Sequence, residues 1–86
     1  MHYFQIQFLE EENGKWFLAG RHVAYSIQEA CDVAKVYIKE ECAAVIFRDD
    51  TLLAYGGPKI NEKTAMRHGT GTVNRLTKKD NPVQLS

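Results

Sequence analysis

From Tyr3 to Phe8 the chain alternates with period two: Phe4, Ile6 and Phe8 share one side, and Tyr3, Gln5 and Gln7 share the other. That alternation is the signature of a half-buried strand. An acidic run, Glu10 to Glu12, leads into Asn13-Gly14, the dipeptide that best tolerates the positive φ angles of a two-residue hairpin turn. Lys15 to Ala24 then reads as the returning strand. Its pattern leaves the buried face open, because Trp16 and Leu18 on one side and Phe17 and Ala19 on the other are all apolar, and Gly20 marks a bulge that resets the register.

Ser26-Ile27-Gln28-Glu29 fits a capping box, in which the serine hydroxyl accepts a backbone N–H and the glutamate reaches back. Ile27, Ala30, Cys31, Ala34, Tyr37 and Ile38 follow at helical spacing, widened by Val33 and Val36, with Gln28, Asp32, Lys35 and Lys39 opposite. The helix ends near Glu40 and Glu41, carboxylates at the negative pole of its dipole. Ala43 to Phe47 is a continuous apolar run, expected as a strand buried on both faces. Asp49-Asp50 then turns the chain into a partner strand, Thr51 to Tyr55, which Gly56-Gly57-Pro58 stops.

The expected fold is α+β: a two-layer sandwich in ββαββ order, with a mostly antiparallel sheet and one helix packed on one face. The outer face is left either solvated or covered, and Tyr3, Trp16 or Phe17, and Tyr55 are candidates for an aromatic patch there. In strand and helix order alone, the segment from Trp16 to Glu41 resembles small three-stranded DNA-reading modules, a likeness that carries no function.

Beyond Gly57 the patterning stops. Ile60, Ala65, Met66, Val73, Leu76, Val83 and Leu85 follow neither period, so residues 1–57 read as the folded domain and 58–86 as an irregular, basic, flexible tail. His68 to Thr72 is turn-like, and Val73 to Leu76 is the one stretch expected to add a short edge strand. The charge divides at the same place. Residues 1–57 hold five cations and nine anions, a net −4, and residues 58–86 hold six cations and two anions, a net +4, beneath an overall charge of zero. Such sorting speaks to partners and self-contact rather than to fold.

At 86 residues there is room for one small core, a limit that favours self-association, and a homodimer through the sheet face or an edge strand is an expected partner state. No window approaches the roughly 18 apolar residues that span a bilayer, so no membrane partner is expected. The first residues lack the pattern of a signal peptide, and Cys31 and Cys42 read as free thiols, which together point to the cytoplasm.

Candidate chemistry is sparse. His2, His22 and His68 are scattered, with no cysteine at zinc spacing, so neither a metal nor another cofactor is expected. Arg21-His22 would form an acid–base cluster only by meeting Asp49 or Asp50 in space. Gly56-Gly57-Pro58-Lys59 lacks the residues of a phosphate loop and reads as a turn. Two charged sets remain as partner-binding candidates. The acidic turns hold Glu10, Glu11, Glu12, Asp49 and Asp50, and the basic tail holds Lys59, Lys63, Arg67, Arg75, Lys78 and Lys79. The tail suits a phosphate backbone in charge but has no aromatic residue to stack on bases, and it suits the acidic surface of its own domain as well. The reading that follows is a small non-enzymatic regulator or inhibitor that binds a protein, of the kind phages and mobile elements carry. The alternative is a nucleic-acid-binding protein with a basic C-terminal arm.

Overall fold

A computed structural model describes residues 3–68 and 77–85, with side chains for 3–67 and 82–85. Five strands and two helices follow in the order β1 (Phe4–Glu12), β2 (Lys15–Ala24), α1 (Ile27–Lys39), β3 (Ala43–Arg48), β4 (Thr51–Gly56), α2 (Glu62–His68) and β5 (Thr77–Leu85). The strands form one sheet in the order β2-β1-β3-β4-β5, antiparallel except for the parallel pairing of β4 with β5. The fold is α+β, the ββαββ order is as expected, and α1 is the main helix on the sheet.

The β1–β2 hairpin turns at Asn13 and Gly14, whose φ angles of 53° and 81° are both left-handed, as a two-residue turn matched to strand twist requires. The register slips between Phe8 and Leu9: Leu9 faces Leu18 and Phe8 faces Gly20, leaving Ala19 as the extra residue of a bulge.

Ser26 caps α1, its Oγ accepting the Glu29 N–H at 3.1 Å, while Glu29 Oε2 accepts the Tyr25 N–H at 3.1 Å. The capping box therefore reaches back one residue beyond the cap itself. At the other end the N–H groups of Glu41 and Cys42 donate to the carbonyls of Ile38 and Tyr37, each at 3.0 Å. This is a Schellman closure, with Glu41 at φ 65° in the place usually held by glycine. Only Ala30 and Ala34 of α1 are fully buried. Their small side chains let the helix lie close on Ile6, Phe8, Ala44 and Ile46, and Tyr37 stacks on Phe8 with ring centroids 3.8 Å apart.

β3 lies mid-sheet and is buried on both faces, as its apolar run implies. Ala44 and Ile46 face α1, whereas Ala43, Val45 and Phe47 join Leu9, Leu52, Ile60 and Ala65 in a second cluster, edged by Trp16, Tyr55 and Met66. The outer sheet face is therefore covered in part, by the segment that follows β4.

That segment differs from the irregular tail expected for residues 58–86. Asn61 opens α2 by accepting the Thr64 N–H on its side chain at 2.8 Å, and Ile60, Ala65 and Met66 cover the sheet. β5 then adds an edge strand whose Leu85 is buried against the α1-side core. α2 at seven residues is too short to display a helical period, β5 carries large apolar side chains only at Val83 and Leu85, and both elements are held by contacts with a sheet already formed. The expected turn at 68–72 and strand at Val73–Leu76 include residues 69–76, which lie outside the described residues. No described helix is long and apolar enough to cross a membrane.

Candidate protein-binding surface

The two acidic sets of the sequence sit at opposite ends of the sheet. Glu10, Glu11 and Glu12 form the last part of β1 rather than the turn, facing Phe17, Trp16 and Lys15 across the hairpin. Asp49 and Asp50 form the β3–β4 turn, which follows Phe47, the partner of Gln5 near the start of β1. A strand of nine residues separates the two ends by ~30 Å, so no single patch joins them. Arg21 and His22 lie on β2, with β1 and β3 between them and the Asp49–Asp50 turn. The conceivable acid–base cluster is therefore not assembled.

At the hairpin end the structure gathers what the sequence keeps apart. Leu9 pairs with Ala43, which brings the end of α1, with Glu40 and Glu41, beside the acidic part of β1. Cys42 sits between these runs, its Sγ 3.6 Å from the Leu9 carbonyl oxygen. Burial, and then the carboxylates of Glu10 and Glu40, push its thiol above the usual range, so Cys42 is a packed, protonated thiol. Cys31 and Cys42 are both unpaired with each other.

Lys59, the first cation of the basic segment, closes this end. Its ammonium donates to Glu11 Oε2 at 3.1 Å, and the Gly14 N–H donates to Glu11 Oε1 at 3.4 Å. Those two bonds, the lysine's first, hold the Glu11 carboxyl below its ordinary range. Leu9, Trp16, Glu41, Ala43 and Pro58 complete an open groove of about 210 Å³ around the pair. The acidic front and the basic segment thus touch within one molecule. Lys63 and Arg67 are exposed on α2, which packs against β4 and β5. Arg75 and the side chains of Lys78 and Lys79 lie outside the described residues.

A different surface stands out at the β2 edge. Tyr3, Phe17, Leu18, Val23, Tyr25 and Ile27 each expose between 44 and 65% of their surface, and all lie on β2 or beside its ends. Because Leu9 faces Leu18 and Glu10 faces Phe17, neighbouring β2 residues project to opposite faces, and apolar groups stand on both. Trp16 and Tyr55, expected in an exposed aromatic patch, instead pack against the second cluster, and Tyr3 stays exposed. The double apolar pattern of Lys15 to Ala24 was the sequence signal for this edge.

Among the described residues no three His, Cys, Asp or Glu side chains are grouped to hold a metal ion. Comparison with known proteins gives no match: no family model fits the chain, and no curated protein or solved structure is significantly similar to it.

Proposed function

We propose that this protein is a small protein-binding domain, a regulator or inhibitor acting without catalysis, that engages its partner along the β2 edge. One observation carries the reading: among the described residues, six of the nine large apolar side chains that stand exposed lie on or beside the ends of a single ten-residue edge strand. Scattered exposed apolar residues need no explanation, but their concentration along one edge strand marks an interaction surface. Strand addition supplies main-chain hydrogen bonds there, and side chains on both faces supply selectivity. The acidic groove around Glu11 and Glu41 lies at the end of the same strand, where its carboxylates extend the surface toward a basic group.

The nucleic-acid alternative draws less support. Lys59 is committed to Glu11, so the cations available to a phosphate backbone are fewer than the sequence count.

A photo-crosslinking residue placed at Phe17 or Val23, and as a control at Lys35 on the exposed side of α1, tests the reading in host cells. Discrete protein adducts from the two β2 positions and none from the control are expected. Adducts to nucleic acid, or equal yields at all three positions, would refute it.

A further inference from the structure

We infer that the occupant of the β2 edge is a second copy of this chain, paired antiparallel about a two-fold axis that passes between Ala19 and Gly20. The inference rests on the protein-binding reading of that edge and names the partner.

The two-residue turn of the β1–β2 hairpin makes Glu12 and Lys15 the pair that exchanges both backbone bonds, and bonded and non-bonded pairs alternate from there. Along the unbroken strand β1, Glu12, Glu10, Phe8, Ile6 and Phe4 then bond toward β2, while Leu9, Gln7 and Gln5 bond toward β3. The β2 residues opposite the second set are Leu18, Arg21 and Val23, and Trp16 lies opposite Glu11. Leu18, Arg21 and Val23 direct their N–H and C=O groups to the β2 edge, where no described strand pairs with them.

Two copies satisfy Leu18 and Arg21 at once in one register. Trp16 meets Val23 of the second copy, and Leu18 meets its Arg21, each pair occurring twice about the axis. Phe17 falls opposite His22 and Lys15 opposite Ala24. The strand carries three basic residues and no carboxylate, so an arbitrary register risks like charges face to face, and this one opposes every basic residue to an uncharged or apolar neighbour. An aromatic ring against a β-branched side chain and an arginine stem along a leucine are favourable cross-strand pairs.

The bulge selects the partner. Ala19 is an extra residue in the middle of β2, and bulges there ordinarily protect an edge by mismatching a regular strand. A second copy carries the same bulge, and the two-fold axis sets one against the other. A regular peptide strand has no residue to match it. The opposite edge is defended otherwise, because β5 holds Pro82 and the run Lys78-Lys79-Asp80. Size also fits. A stable interface takes ~800 Å² per partner, about one seventh of the 5613 Å² surface, and β2 at ~33 Å is nearly as long as the 38 Å molecule.

Sedimentation equilibrium of the full chain over a thousandfold concentration range reads the mass directly. The expected result is a shift from 9.8 kDa toward twice that value, with Leu18→Lys, folded by circular dichroism, moving the midpoint at least tenfold higher in concentration. A geometric test does not depend on that variant folding. At this axis the two Ala19 Cα atoms lie roughly 6 Å apart, within disulfide reach. In a Cys31→Ser background, Ala19→Cys is expected to cross-link to itself under mild oxidation, while the parent chain, with Cys42 buried, does not. A monomer at every concentration overturns the second-copy assignment and leaves the photo-crosslinking test of protein binding standing. A dimer that Leu18→Lys leaves intact and Ala19→Cys does not cross-link overturns it as well.

Discussion

Gly56 ends β4 at the point where the C-terminal strand joins the sheet, and replacing it with alanine tests whether that junction depends on a missing Cβ. A Cβ there would lie 2.5 Å from the Leu85 carbonyl oxygen, 2.8 Å from Leu85 Cβ and 3.0 Å from Ile38 Cδ1. Ordinary contact is ~3.5–4.0 Å, so the nearest neighbour must retreat by about 1 Å. That neighbour is backbone and Gly56 is buried, so no flexible chain end absorbs the shift. If β5 stays in place, the overpacking costs ~1–3 kcal/mol. If its end detaches instead, Leu85, now only 8% exposed, gives up burial worth at most ~1.5–3 kcal/mol, offset by the freed chain. Both routes give a loss of about 1–3 kcal/mol, against a total of ~4–13 kcal/mol for 86 residues at the usual stability per residue. Gly20→Ala is the internal control. Its Cβ would meet only Phe8 Cδ2, at 3.6 Å, so stability holds or rises by up to ~1 kcal/mol as the unfolded chain loses freedom. Urea unfolding supplies the two free energies, and hydrogen exchange at Val83 to Leu85 distinguishes strain from detachment. A Gly56→Ala change within ~0.5 kcal/mol of zero, with exchange at Leu85 unaltered, would refute the close approach and with it the docking of β5 on β4.

Glu41→Gly is expected to stabilise the fold by about 1 kcal/mol in thermal or urea unfolding, since it relieves a left-handed φ of 65° and removes a carboxylate from the negative end of α1. A loss of stability would show that Glu41 makes a contact outweighing both. Lys59→Gln is expected to destabilise near neutral pH and to lose its effect in acid. The sign follows from Glu11: its folded carboxyl titrates below the ordinary 4.5, so the stabilisation is complete above that pH and disappears as pH falls through the folded value. Unfolding curves for both proteins across that range check it, and a difference independent of pH would rule out the ion pair as its source.

The first five elements were legible because each carries a signal generated locally: alternation in Phe4–Phe8, the Asn13-Gly14 turn, the Ser26 capping box, and the apolar run of β3. The covered outer face was not legible, because α2 and β5 are stabilised by the sheet they dock on and have no pattern of their own. Leu85 becomes a core residue only because Gly56 admits it. Of the candidate surface, the double apolar character of β2 was visible, yet its meaning required knowing that β2 takes an edge while β3, more apolar still, takes the centre. The nearness of Glu40–Glu41 to Glu10–Glu12 follows from the Leu9–Ala43 pairing, a contact between distant residues that no spacing announces.

The charge sorting changes meaning once it is folded. Along the chain it separates an acidic front from a basic tail, but in space it runs across the sheet. The acidic residues of β1 and the end of α1 stand near β2, whereas Lys63 and Arg67 ride on α2 over β4 and β5. From β2 to β4 is three strand spacings, ~14 Å, beyond the ~8 Å screening length of physiological salt. The carboxylates of the hairpin end and the cations of α2 therefore act on partners separately rather than cancelling. Lys59 is the exception, reaching back to Glu11 to tie the second half of the chain to the first. A partner at the β2 edge consequently meets apolar side chains, the strand's own Lys15, Arg21 and His22, and the carboxylates at its hairpin end, but little of the basic field of α2, which is why the protein-binding reading and the basic-arm reading refer to different faces of the molecule and can be tested one without the other.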